Sequence, residues 1–452
     1  LSVELPVVKD CRDEDYVVME VNKAMLELRR NGGGPVHINL ITTYSRDFSV
    51  KELPHVKVMR RFQAWDELPV LPEGRIGIYV GSHTHFSEKQ NRAIDRFCAT
   101  YDAVVICDHT SGYYGKYKLL PTLVQLQSDI TSPFPPLDLM VHIGEISAAS
   151  FNDTIPAKEV WRVSEDGELR DPFKKLTTVF QMSEEMFFLH YGKDGCNRHV
   201  LIDECRELFG EIYEQIPELP FCNIWTAMQL SSRLPKGALF HMGVSNTRRC
   251  WNMFQLPESV ESACNVGCCG IDGCVSTLVG ASLVNPDRLC YVVVGDLTFF
   301  YDLNSLGNHH IGTNLRVMLV NNGRGTEFRL GIHHCNVFGD DADKYMAAAG
   351  HFGNKSPLLV KHYAEDLGFH YLSATTKEEF MTALSNFTNP QLSDHSMILE
   401  VFTDSKDESE ALYLMSHIQS DAKGMVRSKL KDAVRNVAGE KGINAIKKIL
   451  KK

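Results

Sequence analysis

Two short polar segments of the sequence carry the residue types of a magnesium site. Asp296 follows Gly295, and Asn322 comes 322 − 296 = 26 residues later, two residues before Arg324. A carboxylate oxygen, a carboxamide oxygen and a main-chain carbonyl oxygen suit the octahedral shell of Mg²⁺, which phosphate oxygens and water complete. Each segment alone is typical of an ordinary turn at the end of a strand. Their pairing predicts that Asp296, Asn322 and the carbonyl of Arg324 bind Mg²⁺ together.

Two neighbouring strands must bring these segments to the same place. Residues 291–294 are apolar and end at Gly295, and residues 317–320 are apolar and end at Asn321. Such runs indicate strands buried in a parallel sheet, and ligands of open α/β sheets lie beyond the carboxyl ends of the strands. Residues 298–308 are predicted to form the connecting helix, whose first N–H groups would face an anion.

The rest of the chain has the pattern of an α/β protein built on parallel sheets. Apolar stretches alternate with segments of helical periodicity, which predicts sheets covered by helices. Helices are predicted at 14–30, 90–101 and 224–234. Strands are predicted at 36–40, 76–80, 103–107, 138–143, 238–242, 289–294, 317–320 and 397–402.

The composition argues against several classes of protein. The 452 residues carry a formal net charge of −10, which argues against a general nucleic-acid-binding protein. The sequence contains no apolar run long enough to span a bilayer. The 13 cysteines lack the spacing of a disulfide framework. We therefore expect a cytoplasmic protein with reduced thiols, in which Cys264, Cys268 and Cys269 are interpreted as packing residues rather than a redox group.

The last 32 residues differ in charge from the rest of the chain. Residues 421–452 carry ten Lys or Arg and three Asp or Glu, with apolar residues at helical spacing. This pattern predicts a basic amphipathic helix or pair of helices. A helix packed on the protein or on a partner subunit is favoured, and an anchor on an anionic surface is the alternative.

The polar segments resemble a known cofactor signature. Gly295-Asp296 followed by Asn321-Asn322 is similar to the thiamine-diphosphate motif of the pyruvate decarboxylase and acetohydroxyacid synthase superfamily, with Leu297 where that motif usually has Gly. Residues 295–304, 270–277 and 34–39 resemble one branch, the menaquinone-pathway synthase that makes succinyl-enolpyruvyl-hydroxycyclohexene-carboxylate. The similarity extends from about residue 20 to about residue 403.

The resemblance implies roles for individual residues. Ile271 would be the apolar residue against which the cofactor bends, and Glu327 and Phe328 would lie close to its reacting carbon, so these three are the candidate catalytic residues. The family's cofactor-activating glutamate comes from the pyrimidine-binding domain across a dimer, which implies a homodimer or homotetramer with active sites at the subunit interface. The implied cofactor-binding residues are Cys269, Gly270, Ile271, Gly295, Asp296, Leu297, Thr298, Asn322, Arg324, Gly325 and Thr326.

The same resemblance implies a division of the chain into domains. The first segment would be the end of a pyrimidine-binding domain, whose beginning, with the activating glutamate, is expected to be absent. The predicted segments are 1–45 for that domain end, 46–73 for a linker, 74–175 for a central α/β domain, 176–220 for a helical connection, 221–420 for a diphosphate- and magnesium-binding domain and 421–452 for the basic tail.

The expected function is decarboxylation of a 2-oxo acid on thiamine diphosphate, followed by release of an aldehyde or transfer of the acyl group to an acceptor. Ser245 and Arg249 match the acid-binding serine and arginine of the branch, but Val266 and residues 147–149 lie where the branch has further cations. We therefore expect an acceptor with less negative charge than isochorismate. The alternatives are the menaquinone-pathway reaction itself, from 2-oxoglutarate and isochorismate, and an inactive or regulatory relative that binds the cofactor.

Two other kinds of site are disfavoured. A flavin or nicotinamide oxidoreductase would need a Gly-x-Gly-x-x-Gly turn after a strand, which Gly81 and the residues after it do not supply. The histidines at 83, 85, 333 and 334, with Cys335, lack the paired spacing of a structural zinc site.

Overall fold

The computed structural model describes residues 1–44, 46, 49, 51–52, 56–130, 134–145, 155–421 and 423–426. The chain divides into two compact units. The first contains Leu1–Ile106, Tyr113–Leu119 and Phe134–Cys205, and the second contains Cys107–Gly112, Leu120–Pro133 and the chain from Arg206 onwards. Each unit contains a parallel sheet with helices, which confirms the predicted α/β fold class. Most of the predicted basic tail lies outside the described residues.

The first unit is built on a seven-stranded sheet in the order β3-β9-β8-β7-β4-β5-β6, and every pairing in it is parallel. The interior strand β4 is buried along its whole length, as the apolar run predicted. The strands are β3 Arg60–Gln63, β4 Ile76–Val80, β5 Val104–Ile106, β6 Lys118–Leu119, β7 Leu137–Ile143, β8 Ala157–Val163 and β9 Leu176–Gln181. The helices are α2 Glu88–Tyr101 and α4 Glu184–Tyr191, while α5 Val200–Glu214 begins in this unit and ends in the second.

Two of these strands correct the predicted domain boundaries. β3 lies inside the stretch 46–73 that was expected to be a linker, and β9 opens the stretch 176–220 that was expected to be helical. The two strands pair with each other, with Arg60 opposite Thr178. The sequence Arg-Arg-Phe-Gln of β3 has no apolar alternation, because an edge strand needs to bury only part of its surface.

The N-terminal segment forms a small substructure in the same unit. Strands β1 Ser2–Leu5 and β2 His37–Leu40 pair in parallel, and helix α1 Cys11–Glu27 connects them. The side chain of Asp10 caps α1 by accepting the main-chain N–H groups of Arg12 and Asp13. Val3, Leu5 and Ala24 form the buried contact between the strands and the helix.

The second unit is built on a six-stranded parallel sheet in the order β11-β10-β12-β13-β15-β14. Its strands are β10 Leu239–Met242, β11 Glu261–Cys264, β12 Cys290–Gly295, β13 Leu315–Asn321, β14 His370–Ala374 and β15 Met397–Phe402. Its helices are α3 Thr122–Leu126, α6 Asn223–Leu230, α7 Asn246–Trp251, α8 Cys274–Val284, α9 Asp296–Asp302, α10 Asp340–Tyr345, α11 Leu359–Asp366, α12 Lys377–Phe387 and α13 Ser405–Ser416.

The two strands predicted to carry the magnesium ligands are neighbours in this sheet. β12 pairs with β13 along its whole length, from Cys290 opposite Leu315 to Gly295 opposite Val320. The apolar side chains on one face of both strands lie in one buried cluster with residues of α8, α9 and α11. Burial of each large aliphatic side chain stabilises the fold by roughly 1.5–3 kcal/mol. Packing of this cluster thus holds the ends of β12 and β13 in place, and with them the adjoining residues Asp296 and Asn322.

Among the helices that the structure describes, none is both long and apolar enough to cross a membrane. All 13 cysteines lie in described parts of the chain, and each is a free thiol.

Candidate active site

Four neighbouring strands of the second unit place the predicted residues at one edge of the sheet. In the order β11-β10-β12-β13, each of these parallel strands is followed by one predicted segment. Cys269, Gly270 and Ile271 follow β11, and Ser245 and Arg249 follow β10. Gly295 to Thr298 follow the body of β12, and Asn322 to Phe328 follow β13. The carboxyl edge of the sheet therefore carries the whole predicted set, as expected for ligands of a parallel α/β sheet.

Asp296 is buried at the start of α9, with 2% of its surface exposed. One carboxylate oxygen accepts the main-chain N–H of Leu297 at 2.9 Å, and the other lies 3.0 Å from Nε2 of His351. His351 could not be predicted from the sequence, because it follows Asp296 by 55 residues and no local pattern connects the two. In this structure the imidazole contacts the oxygen that a cation would share.

The predicted helix after Asp296 differs from the observed one. α9 begins at Asp296, two residues earlier than expected, and ends at Asp302, after which residues Leu303–Gly307 continue as a 3-10 helix. The early start places Asp296, Leu297 and Thr298 in the first turn, where main-chain N–H groups have no partner within the helix. These groups can approach an anion such as a diphosphate.

Asn322 contributes a buried oxygen that could bind a cation. Its carboxamide oxygen is buried and, within the described part of the chain, has no hydrogen-bond partner. A buried oxygen of this kind ordinarily has a donor or a metal ion. The carbonyl of Arg324 accepts the N–H of Thr326 at 2.9 Å, and a carbonyl oxygen has a second lone pair with which to bind a cation. The donor set of Asp296, Asn322 and the Arg324 carbonyl therefore fits Mg²⁺ chemically.

The turn after Asn322 depends on glycine. Gly323 has a φ of +74°, and a Cβ atom at this position would lie 2.4 Å from the side-chain nitrogen of Asn354. The N–H of Gly325 donates to the carbonyl of Ala347 at 2.6 Å. A larger residue at Gly323 would therefore have a strained backbone conformation and would displace the side chain of Asn354.

The segment expected to support the cofactor is a loop with two left-handed positions. Cys269 has a φ of 52° and Gly273 a φ of 110°, and Ile271 between them is partly exposed. Helix α8 begins directly after Gly273, and Asp302 accepts the N–H of Ser276 at 2.6 Å. Asp302 thus satisfies one of the free N–H groups of α8, as an acid at a helix N-terminus should.

The two residues expected at the substrate and at the reacting carbon form an ion pair. Arg249 donates from both terminal nitrogens to the carboxylate of Glu327, at 2.9 and 2.7 Å. Burial alone would lower the pKa of Arg249, but the hydrogen bonds and the charge of Glu327 outweigh it and raise the pKa above its ordinary value. Arg249 therefore stays charged, and its fork of donors is directed at Glu327 rather than left open. Ser245 precedes this helix with a left-handed φ of 59°.

A buried carboxyl group lies behind this pair. Glu408 of α13 accepts the N–H of Asn223 and the hydroxyl of Thr403, both at 2.9 Å, and hydrogen-bonds the side chain of Asn246. Asn246 in turn accepts from Arg249 at 3.3 Å. Burial raises the pKa of Glu408 to about 7. Asn246 lies on the same helix as Arg249, but Glu408 could not be predicted from the sequence, because only tertiary packing brings α13 to that helix.

The other arginines of this edge differ in their pairing. Arg324 and Arg329 both contact Asp343, at 2.9 and 3.3 Å, so their charges are shared with one carboxylate. Arg248 has a buried terminal nitrogen that no hydrogen-bond acceptor in the described residues approaches. It also lowers the pKa of the Cys264 thiol, against the dominant effect of burial, which raises that pKa to about 12. Arg248 is thus close to the end of β11.

Two further predictions concern the histidines that could suggest a zinc site and the stretch 147–149. His333 caps a short 3-10 helix, His334–Phe338, by accepting the N–H of Cys335. In the ranges that the structure describes, no three His, Cys, Asp or Glu side chains form a group able to hold a metal ion. The stretch 147–149, where the branch has two cations, lies outside the described residues.

The chain is similar in sequence to several synthases. The chain is 29% identical over 439 residues to the 2-succinyl-5-enolpyruvyl-6-hydroxy-3-cyclohexene-1-carboxylate synthase of Bacteroides thetaiotaomicron, covering 91% of this chain and 75% of the relative. The synthase of Phocaeicola vulgatus is 28% identical over 446 residues with the same coverage. The chain is related to these synthases. That of Christiangramia forsetii is 33% identical over 199 residues, covering 44% of this chain and 33% of the relative. No profile of a known protein family matches the chain.

The relationship confirms the predicted resemblance to the menaquinone-pathway branch. It also confirms the prediction of a thiamine-diphosphate-dependent enzyme that acts on a 2-oxo acid.

Proposed function

We propose that this chain is a thiamine-diphosphate- and magnesium-dependent carboligase, which decarboxylates a 2-oxo acid and joins the remaining acyl group to an acceptor. The observation that carries the proposal is the buried carboxamide oxygen of Asn322, which has no donor within the described ranges, on the strand next to the one that ends at Asp296. Leaving such an oxygen unpaired costs roughly 1–3 kcal/mol. A divalent cation shared with a diphosphate would satisfy it.

Each residue of the site has a separate task in this proposal. Thiamine diphosphate, when bound, supplies the carbanion chemistry that side chains cannot provide. Asp296, Asn322 and the carbonyl of Arg324 would hold Mg²⁺ and, with it, the diphosphate. Ile271 would support the cofactor, and Glu327 and Phe328 would face the substrate end.

The relatives favour carboligation over release of an aldehyde, because they are named as synthases. The name of these relatives favours the menaquinone-pathway reaction, with 2-oxoglutarate as donor and isochorismate as acceptor, but the residues at the substrate end of this chain argue for different substrates. A relative that binds the cofactor without turnover is less well supported, since Asp296 and Asn322 are both retained. We further propose that the active site forms at the subunit interface of a homodimer or homotetramer, where the pyrimidine-binding domain contributes the activating glutamate.

The substrate end differs from the expectation for a strongly anionic acceptor. Val266 occupies the position of one cation of the branch and is buried. A buried carboxylate without a cationic partner is destabilised by several kcal/mol. The acceptor is therefore proposed to carry less negative charge than isochorismate, and mass spectrometry of the carboligation product from the full-length enzyme tests this directly.

The cofactor site can be tested without turnover. We expect Mg²⁺ and thiamine diphosphate together to raise the thermal unfolding midpoint of the protein, because a ligand that binds only the folded state stabilises it. Asn322→Ala should leave the midpoint of the unliganded protein unchanged or slightly higher, since the removed oxygen has no donor in the described structure. The same variant should lose most of the shift caused by Mg²⁺ and thiamine diphosphate.

Asp296→Ala should also lose the shift and the heat of magnesium-dependent binding in calorimetry. The matched control is Asp287→Ala. Asp287 is exposed and lies three residues before β12, at the opposite end of that strand from Asp296, so this variant should keep the full rise in the unfolding midpoint. An Asn322→Ala protein with a normal shift would show that the carboxamide is not a ligand. A normal shift in Asp296→Ala as well would overturn the cofactor site.

A further inference from the structure

Glu327 and Arg249 form a two-bond ion pair at the carboxyl edge of the second sheet. The carboxylate oxygens of Glu327 accept from the two terminal nitrogens of Arg249 at 2.9 and 2.7 Å. Their side chains are 19% and 25% exposed, so the pair is accessible to a small molecule but mostly shielded from water. A bidentate geometry of this kind is the strongest arrangement of a guanidinium and a carboxylate.

The pair connects two loops that flank the proposed magnesium site. Arg249 lies on α7 after β10, and Glu327 lies in the turn after β13. β12, which ends beside Asp296, lies between β10 and β13 in the sheet. The ion pair therefore closes over the same sheet edge at which Asp296 and Asn322 are placed, five residues beyond Asn322 along the chain.

The pair changes what this part of the edge can bind. Arg249 would attract a substrate carboxylate if it were open, but Glu327 already takes both terminal nitrogens and Asn246 lies 3.3 Å from one of them. A second carboxylate must either displace Glu327 or lie beside it. Like charges held side by side at a binding surface are strongly unfavourable.

We infer that Glu327 is a specificity-determining residue, which occupies Arg249 and so selects a 2-oxo acid without a second carboxylate. The inference rests on the proposed function, because it names the class of substrate for the same site. A donor with an uncharged far end meets a neutral ion pair and leaves it intact. A dicarboxylic donor such as 2-oxoglutarate meets the carboxylate of Glu327.

The test compares two donors that differ only at the far end. 2-Oxoglutarate ends in a carboxylate, whereas 2-oxopentanoate has the same chain length and ends in a methyl group. The full-length enzyme with Mg²⁺ and thiamine diphosphate is assayed for decarboxylation of each. Affinities are measured in parallel by calorimetry, with an unreactive thiamine-diphosphate analogue in the cofactor site.

The wild-type enzyme should prefer 2-oxopentanoate in both measurements. Glu327→Gln keeps the shape of the side chain but removes its charge, so it should shift the ratio of kcat/KM values and of affinities towards 2-oxoglutarate by at least about tenfold. Adding Arg249→Met to Glu327→Gln should remove that gain. The exposed Glu410 supplies the matched control, since Glu410→Gln should leave the ratio unchanged.

The outcomes separate the inference from the proposed function. If both donors react and Glu327→Gln leaves their ratio unchanged, Glu327 does not set the specificity, although the carboligase proposal stands. If the wild-type enzyme prefers 2-oxoglutarate and Arg248→Met abolishes that preference, the carboxylate is held by Arg248 and the inference is wrong. If no 2-oxo acid binds or reacts in any variant, the proposed function is wrong and the inference fails with it.

Discussion

Glu408 should make the second unit less stable as the pH rises. Its side chain is buried on α13, and this burial raises its pKa from an ordinary 4.5 to about 7. The N–H of Asn223, the hydroxyl of Thr403 and the side chain of Asn246 favour the charged carboxylate but do not offset burial. The folded protein therefore keeps this proton at pH values where the unfolded chain has released it.

The size and sign of the effect follow from the two pKa values. Between pH 4.5 and about 7 the unfolded state binds fewer protons than the folded state, so the free energy of unfolding falls as the pH rises. The contribution is fully present below the unfolded pKa and is lost as the pH passes the folded pKa. A shift of roughly 2.5 units corresponds to about 3 kcal/mol lost by pH 8, of which about 2 kcal/mol is lost by pH 6.

Glu408→Gln isolates this contribution, because glutamine has the same shape, retains an acceptor for Asn223 and does not titrate. We expect urea denaturation to show the variant gaining about 3 kcal/mol relative to the wild-type protein between pH 4.5 and pH 8. The signal is tryptophan fluorescence, to which Trp225 and Trp251 of the second unit contribute, together with Trp65 and Trp161 of the first. Glu410→Gln, an exposed position on the same helix, should show a difference that does not depend on pH.

A stability difference that does not vary with pH would contradict this account of Glu408. If the difference between Glu408→Gln and the wild-type protein is the same at pH 4.5 and pH 8, then Glu408 ionises in the folded protein near its ordinary pKa. The three donors would then outweigh burial, and the pair of Arg249 and Glu327 would have a charged carboxylate behind it.

Two other substitutions test the backbone and the buried charges near the site. Gly323→Ala should destabilise the protein by roughly 1–3 kcal/mol, because of the positive φ at this position and the contact with Asn354. It should also reduce the rise in the thermal unfolding midpoint that Mg²⁺ and thiamine diphosphate cause. A normal rise of the midpoint, measured by calorimetry, would show that the turn relaxes. Tyr371→Phe removes a donor 2.7 Å from Glu400, whose pKa burial raises. Urea denaturation should show a loss of roughly 1–3 kcal/mol that grows with pH, and a loss that falls with pH would contradict this account.

The strands of the two sheets could be predicted from the sequence where they are buried on both faces. β4, β7, β12, β13 and β15 all appear as apolar runs, since a central strand of a parallel sheet contacts helices on each side. β3, with the sequence Arg-Arg-Phe-Gln, was missed, as were β6, β8, β9, β11 and β14. An edge strand such as β3 is stabilised mainly by its pairing with a neighbour, and no property of its own four residues shows that neighbour.

Part of the candidate site could also be predicted from the sequence. Asp296 and Asn322 follow recognisable strands, so their meeting at one edge could be deduced from the alternation of strands and helices alone. His351 and Glu408 could not be deduced, because they reach the site from segments that lie 55 residues after Asp296 and 159 residues after Arg249 (408 − 249 = 159). Such contacts depend on how loops and helices pack above the sheet, which no periodicity in the sequence encodes.

The ion pair of Arg249 and Glu327 shows why this difference affects function. Taken one at a time, Arg249 indicates a binding site for an acid, and Glu327 indicates a charged group near the reacting carbon. In the folded chain two hydrogen bonds join them, so each charge neutralises the other before any substrate binds. The ligands of a cofactor are set by where strands end, which a sequence reveals. The charge offered to a substrate is set by pairs of side chains from different loops, so the proposed choice between 2-oxoglutarate and a donor with an uncharged far end depends on a contact that only the folded chain displays.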